Sequence, residues 1–120
     1  MSLLLVHTDS DEREMYAEYF REEGFAVQEV GTTEGALPLA RDARAVITGL
    51  MVPGSIDPIE FIEDVRRERP TTPIIVVTSC LVPHRIDEAY AAGANLVLTK
   101  PCLPDALLLA VREVIARRVA

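Results

Sequence analysis

Residues 45–54 read Ala45-Val46-Ile47-Thr48-Gly49-Leu50-Met51-Val52-Pro53-Gly54. An apolar run breaks at a glycine and opens into a Pro-Gly turn. Strands buried on both faces of a parallel sheet have this continuous form, and in open α/β sheets their C-terminal tips border the ligand crevice. The residue at this tip is Gly49, which carries no side chain.

The same form recurs on either side. Residues 3–6, 25–30, 73–78 and 95–99 are apolar runs of strand length, and with residues 44–49 they make five predicted strands. The β-branched run 73–78 is apolar on both faces and belongs at the sheet centre.

The intervening segments carry helix signals. Asp9 is an N-cap with Glu12 as its capping-box partner, and Gly24 closes that helix. Its predicted inner face is Met15, Tyr19 and Phe20. Thr32 or Thr33 caps a short second helix through about Ala40, which requires Pro38 to fall near its first turn. Pro58 opens a third helix with Ile59, Ile62 and Val65 inward, ending before Pro70. Pro83 opens a fourth that carries Ile86, Ala89 and Tyr90 and closes at Gly93. Pro104 opens the last, with Leu107, Ala110, Val111, Val114 and Ile115 inward and Leu108 and Leu109 widening the stripe. Strands alternating with helices must connect by right-handed crossovers. The expectation is a three-layer α/β fold, a doubly wound five-stranded parallel sheet with five helices, and a site at the C-terminal strand ends.

Composition narrows the function. The chain has 120 residues, 12 basic against 19 acidic, a formal net charge of −7 and 49 % hydrophobic residues. One domain over residues 1–120 is expected, either alone or as part of a longer chain. This much acid excludes direct nucleic-acid binding by backbone neutralisation and favours basic protein surfaces. No run approaches the roughly 18 apolar residues of a membrane span. The first residues lack the basic region of a signal peptide and soon meet Asp9 and Asp11. With two cysteines, a reducing cytoplasm is expected.

The whole chain resembles the receiver domain of two-component response regulators. The matching pieces are Leu4-Leu5-Val6 followed by acidic residues, Arg21-Glu22-Glu23-Gly24-Phe25, the stretch from Ile47 to Gly54, Pro73-Ile74-Ile75-Val76-Val77-Thr78, and Gly93-Ala94 through Thr99-Lys100-Pro101. The resemblance implies a flavodoxin-like strand order 2-1-3-4-5. It also implies a signalling module in which a histidine kinase phosphorylates one aspartate with Mg²⁺ bridging. Carried onto this chain, the acceptor position is Gly49, and the two metal-binding acids fall at His7 and Thr8. The hydroxyl ending the fourth strand is Thr78. The lysine of a cis Lys-Pro pair is Lys100, and the aromatic switch position is Val97. Thr78 and Lys100 match the family, whereas the acceptor, the metal pair and the aromatic do not.

The chemistry follows from those departures. An acyl phosphate needs a carboxylate nucleophile, and Gly49 has none. Mg²⁺ prefers hard oxygen ligands, which His7 and Thr8 supply poorly, so weak or absent Mg²⁺ binding and no other metal or cofactor are expected. Asp9 is a candidate pocket acid as well as a cap. Lys100 is expected to reach solvent, pair with Asp9, or hold an anion with Thr78. Cys80 and Cys102 project from neighbouring loops and form a candidate thiol pair. The expected function is a non-enzymatic pseudo-receiver. It would dock a protein partner or a second copy through the face formed by the fourth helix, fifth strand and fifth helix, with Leu108, Leu109 and Arg112 as candidates. The alternative is a small-anion or redox sensor built on Lys100, Thr78, Cys80 and Cys102.

Overall fold

The computed structural model describes residues 2–119. In chain order the elements are β1 (Ser2–Val6), α1 (Ser10–Glu22), β2 (Ala26–Val30), α2 (Thr33–Ala40), β3 (Ala45–Thr48), α3 (Pro58–Glu68), β4 (Ile74–Thr78), α4 (Pro83–Ala92), β5 (Leu96–Thr99) and α5 (Pro104–Val119). All strands pair in parallel in the order β2-β1-β3-β4-β5, which is the expected flavodoxin-like order.

The two-residue period of the strands divides the core into two layers. Leu4, Val6, Val46, Ile74 and Val76 pack with Ala36, Phe61, Ile62 and Ala89 from α2, α3 and α4. Leu3, Leu5, Ile47, Ile75 and Val77 pack with Tyr16, Phe20, Leu107 and Val111 from α1 and α5. β3 and β4 are buried along their whole length, as central strands must be, while β5 is half-buried at one edge.

Five side chains depart from the sequence-based expectation. The inner face of α1 is Tyr16, Ala17 and Phe20, whereas Met15 is exposed and Tyr19 only half-buried. A small residue, Ala17, lies at the point of close approach, so judging the face by size rotates it by about one residue. Tyr90 is 44 % exposed, because its ring lies over the sheet edge and its hydroxyl accepts the Val97 N–H at 3.0 Å. Leu108 is core rather than docking surface. The Arg112 guanidinium stands 6.0 Å over the Phe25 ring and so belongs to the β2 side of α5.

Pro38 sits in the second turn of α2, beyond the first-turn placement expected of it. The helix persists because it is fastened from outside its own ladder. Thr32 accepts the Gly35 N–H at 3.2 Å. Buried Thr33 donates its hydroxyl to Ile56 O at 2.6 Å and its N–H to Pro53 O at 3.2 Å. The same contacts fix the loop that follows β3 beside the C-terminal strand ends.

Candidate functional site

The site is built from residues that leave the C-terminal ends of β1, β3, β4 and β5. Gly49 follows β3 and donates its N–H to Val6 O at 3.1 Å. A Cβ added there would lie 3.4 Å from Val52 Cγ2 and 3.7 Å from Val77 O, which is ordinary contact. Gly49 is therefore not required by crowding: a Cβ would be accepted there in ordinary contact. Gly49 lines a cleft of about 400 Å³, walled on its apolar side by Leu50, Val52 and Val77.

His7 follows β1 and is 7 % exposed. Its Nδ1 lies 3.1 Å from the Asp9 N–H, and its Nε2 lies 2.7 Å from Lys100 Nζ. A neutral imidazole has one lone pair for these two donors, so protonation would remove the last acceptor from a ring already in demand. Burial first, and then the Lys100 charge, hold the His7 pKa below its ordinary value.

Lys100 follows β5, donates its N–H to Thr78 O at 2.9 Å and precedes Pro101 through a cis bond, as the resemblance implied. Its ammonium is directed neither to solvent alone nor to Asp9. It pairs with Glu12, at 3.0 Å from Oε1 and 3.1 Å from Oε2. Glu12 is thus withdrawn from the capping box expected of it. Only half of that box forms: Asp9 accepts the Glu12 N–H at 3.0 Å, while the Asp9 N–H turns to His7. The backbone N–H groups of Glu12 and Asp11 hold the Asp9 carboxyl below its usual range. Asp9 is a cap at the pocket rim.

The hydroxyls are also engaged. Thr8 donates to Met51 O at 2.8 Å, and buried Thr78 accepts the Cys80 N–H at 3.0 Å. Arg85 of α4 reaches Leu50 O at 3.5 Å and pairs with Asp57, the N-cap of α3, at 3.2 Å. Among the described residues, no group of three or more His, Cys, Asp or Glu side chains is placed to hold a metal.

Cys80 and Cys102 are both free and half-buried. Burial pushes the Cys102 thiol up, away from easy thiolate formation. Its carbonyl accepts the Tyr16 hydroxyl at 2.7 Å, and burial takes the Tyr16 pKa up to about 12. Val97 lies half-buried on β5, with its N–H held by Tyr90.

The structure therefore brings Gly49, His7, Thr8, Asp9, Thr78 and Lys100 to one cleft and leaves Val97 at the sheet edge. Sequence reasoning missed Glu12 as the partner of Lys100. It also missed the Arg85–Asp57 clasp. The available signal for Glu12 was only its acid type one turn past the first strand.

Comparison with known proteins agrees with this geometry. The family described as response regulator receiver domain matches residues 3–112. The chain is 27 % identical over 119 residues to a cyclic di-GMP phosphodiesterase of Thermotoga maritima, covering 99 % of this chain and 32 % of that protein. It is 24 % identical over 116 residues to the response regulator SaeR of Staphylococcus aureus, covering 96 % of this chain and 50 % of that protein. The chain thus spans between a third and a half of these relatives. Among solved structures, a CheY-like receiver domain protein from Methanospirillum hungatei superposes with a TM-score of 0.91 at 21 % identity, covering 98 % of this chain and 94 % of that one. The chemotaxis response regulator CheY4 of Vibrio cholerae gives 0.83 at 28 % identity, covering 94 % and 97 %.

Proposed function

This chain belongs to the response regulator receiver domain family, and we propose that it is a receiver that signals without phosphoryl transfer at the end of its third strand. The observation that carries the reading is Gly49: the position that would bear the acceptor carboxylate bears no side chain, in a cleft with room for one. Attack on a phosphoryl donor needs a nucleophile there, and the nearby hydroxyls of Thr8 and Thr48 are donated to Met51 O and Gly49 O.

The residues present do not fit the Mg²⁺ that receiver domains typically bind. His7 offers a contested nitrogen, the Thr8 oxygen is turned to a carbonyl, the Glu12 carboxylate is paired with Lys100, and Asp9, the one carboxylate of the cleft outside an ion pair among the described residues, is bound to the backbone as the cap of α1. Octahedral Mg²⁺ wants one or two free carboxylates in reach. The anion-sensor alternative loses support from the same ion pair, because the lysine meant to hold an anion is held by a carboxylate.

What remains is a regulatory protein-interaction module, with no enzymatic activity proposed. The exposed Tyr90 and the half-buried edge strand β5 suit docking of a partner or second copy through the α4–β5–α5 face. A cytoplasmic site fits the family and the two free thiols. No described helix is long and apolar enough to cross a membrane, and with a net charge of −7 no direct nucleic-acid contact is proposed.

Incubation with acetyl phosphate and Mg²⁺, followed by intact mass measurement, tests the reading. The expected result is an unchanged mass for the chain and for the Gly49→Asp variant, which restores the acceptor but not the metal acids. A single phosphoryl adduct on the unaltered chain would overturn the proposal.

A further inference from the structure

Met15, Met51, Leu81, Val82, Tyr90, Leu103 and Leu109 are the exposed large apolar side chains among the described residues. Met51, Leu81, Val82 and Leu103 lie on the loops that leave β3, β4 and β5, at one end of the sheet. Met51, 68 % exposed, lines the Gly49 cleft, and Leu81, 72 % exposed, lies on the loop after β4, two residues past the cleft-lining Ser79. Exposed apolar groups gathered at one concave place mark interaction sites more often than the same groups scattered singly.

Inside the cleft, the polar groups already have internal partners. Lys100 is met by Glu12 and His7, Thr8 by Met51 O, and Thr78 by the Cys80 N–H. The Lys100–Glu12 pair leaves no unpaired cation among the described residues of the cleft to attract an anion. Leu50, Val52 and Val77 give the cleft an apolar wall beside Gly49, which adds no side chain of its own.

Charge around the mouth is one-sided. The cations that reach this end are each paired with a carboxylate: Lys100 with Glu12, Arg85 with Asp57, and Arg13, which donates to His7 O, with Glu29. Asp9 and Asp11 stand exposed without an ion-pair partner among the described residues, in a chain of net charge −7.

We propose that the cleft over Gly49 is the seat for a bulky apolar side chain of a partner protein, presented on a segment with lysine or arginine beside it. An apolar anchor fits the neutral interior, and flanking cations fit Asp9 and Asp11. A second copy of this chain, acidic itself, is the poorer occupant by the same electrostatics. Anchors of this kind commonly dominate binding while the surrounding polar rim sets orientation. The inference rests on the phosphoryl-independent reading, because an acceptor carboxylate and Mg²⁺ would fill the same space with charge.

The test is selection of a random twelve-residue peptide library against the intact chain. Fluorescence anisotropy and ¹H–¹⁵N spectra of the chain with the enriched peptides follow. Enriched sequences should carry one bulky apolar residue among basic ones and should shift the amides of Gly49, Met51, Val77 and Leu81. Affinity should fall at least tenfold on replacing that residue with alanine, and at least tenfold in Gly49→Leu, which fills the floor. Leu81→Ser, a change at an exposed site with no folding cost, should weaken binding about threefold or more, and Leu109→Ser should leave it unchanged. Failure to enrich any peptide, or peptides that map to the Leu109 face or ignore Gly49→Leu and Leu81→Ser, would overturn the inference. Failure of this inference leaves the acetyl phosphate result untouched, whereas a phosphoryl adduct would remove the ground beneath both.

Discussion

Lys100 keeps the place the resemblance gives it and finds its counter-charge on another element. Its position at the end of β5 and its cis bond to Pro101 agree with the resemblance, but its charge is met by Glu12, a residue of α1. Both side chains are partly buried, at 22 % and 28 % exposure, so the pair is screened less than a surface bridge. Removing Glu12 leaves the ammonium facing a contested histidine; we expect Glu12→Gln to cost about 1 kcal/mol in urea unfolding. Lys100→Met, which removes the charge itself, should cost less. The double variant should then be no less stable than Glu12→Gln alone, and strict additivity would show that the pair is not coupled. His7 gives a second expectation. Its pKa is lowered on folding, so the unfolded chain binds the proton more readily. Stability is therefore full above the unfolded value of about 6.5 and declines as pH falls below it, with a limiting slope of about 1.4 kcal/mol per pH unit until the folded value is reached. Asp9, lowered by its cap bonds, acts separately, through stability that is present above about 4 and lost below it. His7→Asn should flatten the decline that begins below about pH 6.5 while leaving the more acidic one. An equal pH dependence in both proteins would exclude His7 as its source. None of this pairing was readable from sequence, because Glu12 has a satisfactory local explanation as a capping residue and only the folded chain brings Lys100 to it.

At the scale of elements, strand cores were legible and helix faces less so. Continuous apolar runs located all five strands within about one residue, since burial on both faces leaves no alternation to misread. Amphipathic α1 was misjudged by one position because Ala17 and Met15 differ in size in the opposite sense to their burial. α2 could not be judged from its own residues, because Thr33 and Glu34 fasten it to the loop after β3 through Ile56 O, Pro53 O and the Ser55 hydroxyl. A similar tie joins α3, α4 and β5. Arg66 donates to Gly93 O at 2.7 Å and to Asn95 Oδ1 at 2.9 Å, and that same amide oxygen accepts the Ile74 N–H at 2.8 Å. Asn95 thereby serves the first residue of β4 from the turn that leads into β5. Asn95→Ala strips the Ile74 N–H of its partner and should cost about 1–3 kcal/mol. Asn95→Asp, which keeps an acceptor and adds charge beside Arg66, should cost less, and equal losses in thermal unfolding would refute this account.

The molecule as a whole separates what a fold conserves from what a site conserves. The alternation of five strands and five helices, and their order, come from apolar patterning and chain-connection chemistry spread over many residues, so losing a few polar groups at one end leaves them intact. Site chemistry rests on single positions, and on the reading proposed above Gly49, His7 and Thr8 are the ones that set what the cleft can bind. The fold's stability should therefore be independent of the ion that its relatives use. A retained site with a dissociation constant of about 1 mM would gain about 1.4 kcal/mol at 10 mM Mg²⁺, since stabilisation follows RT ln(1 + [L]/Kd). For a domain of this size that gain corresponds to roughly 4–6 °C in the unfolding midpoint. With Glu12 held by Lys100 and Thr8 turned to Met51 O, we expect a shift below about 1 °C between 10 mM Mg²⁺ and a chelator, at constant ionic strength. Of the two carboxylates that line the cleft, Asp9 caps α1 and Glu12 is paired with Lys100, so recruiting Glu12 to an ion would release Lys100. Lys100→Met frees Glu12 without adding an acid and should remain as indifferent to Mg²⁺ as the unaltered chain. A joint replacement of His7 and Thr8 by aspartate should instead raise the midpoint in Mg²⁺ by several degrees. A large Mg²⁺ shift in the unaltered chain would mean that the ion displaces Lys100 from Glu12, and the reading of the cleft as closed to metal would fall with it.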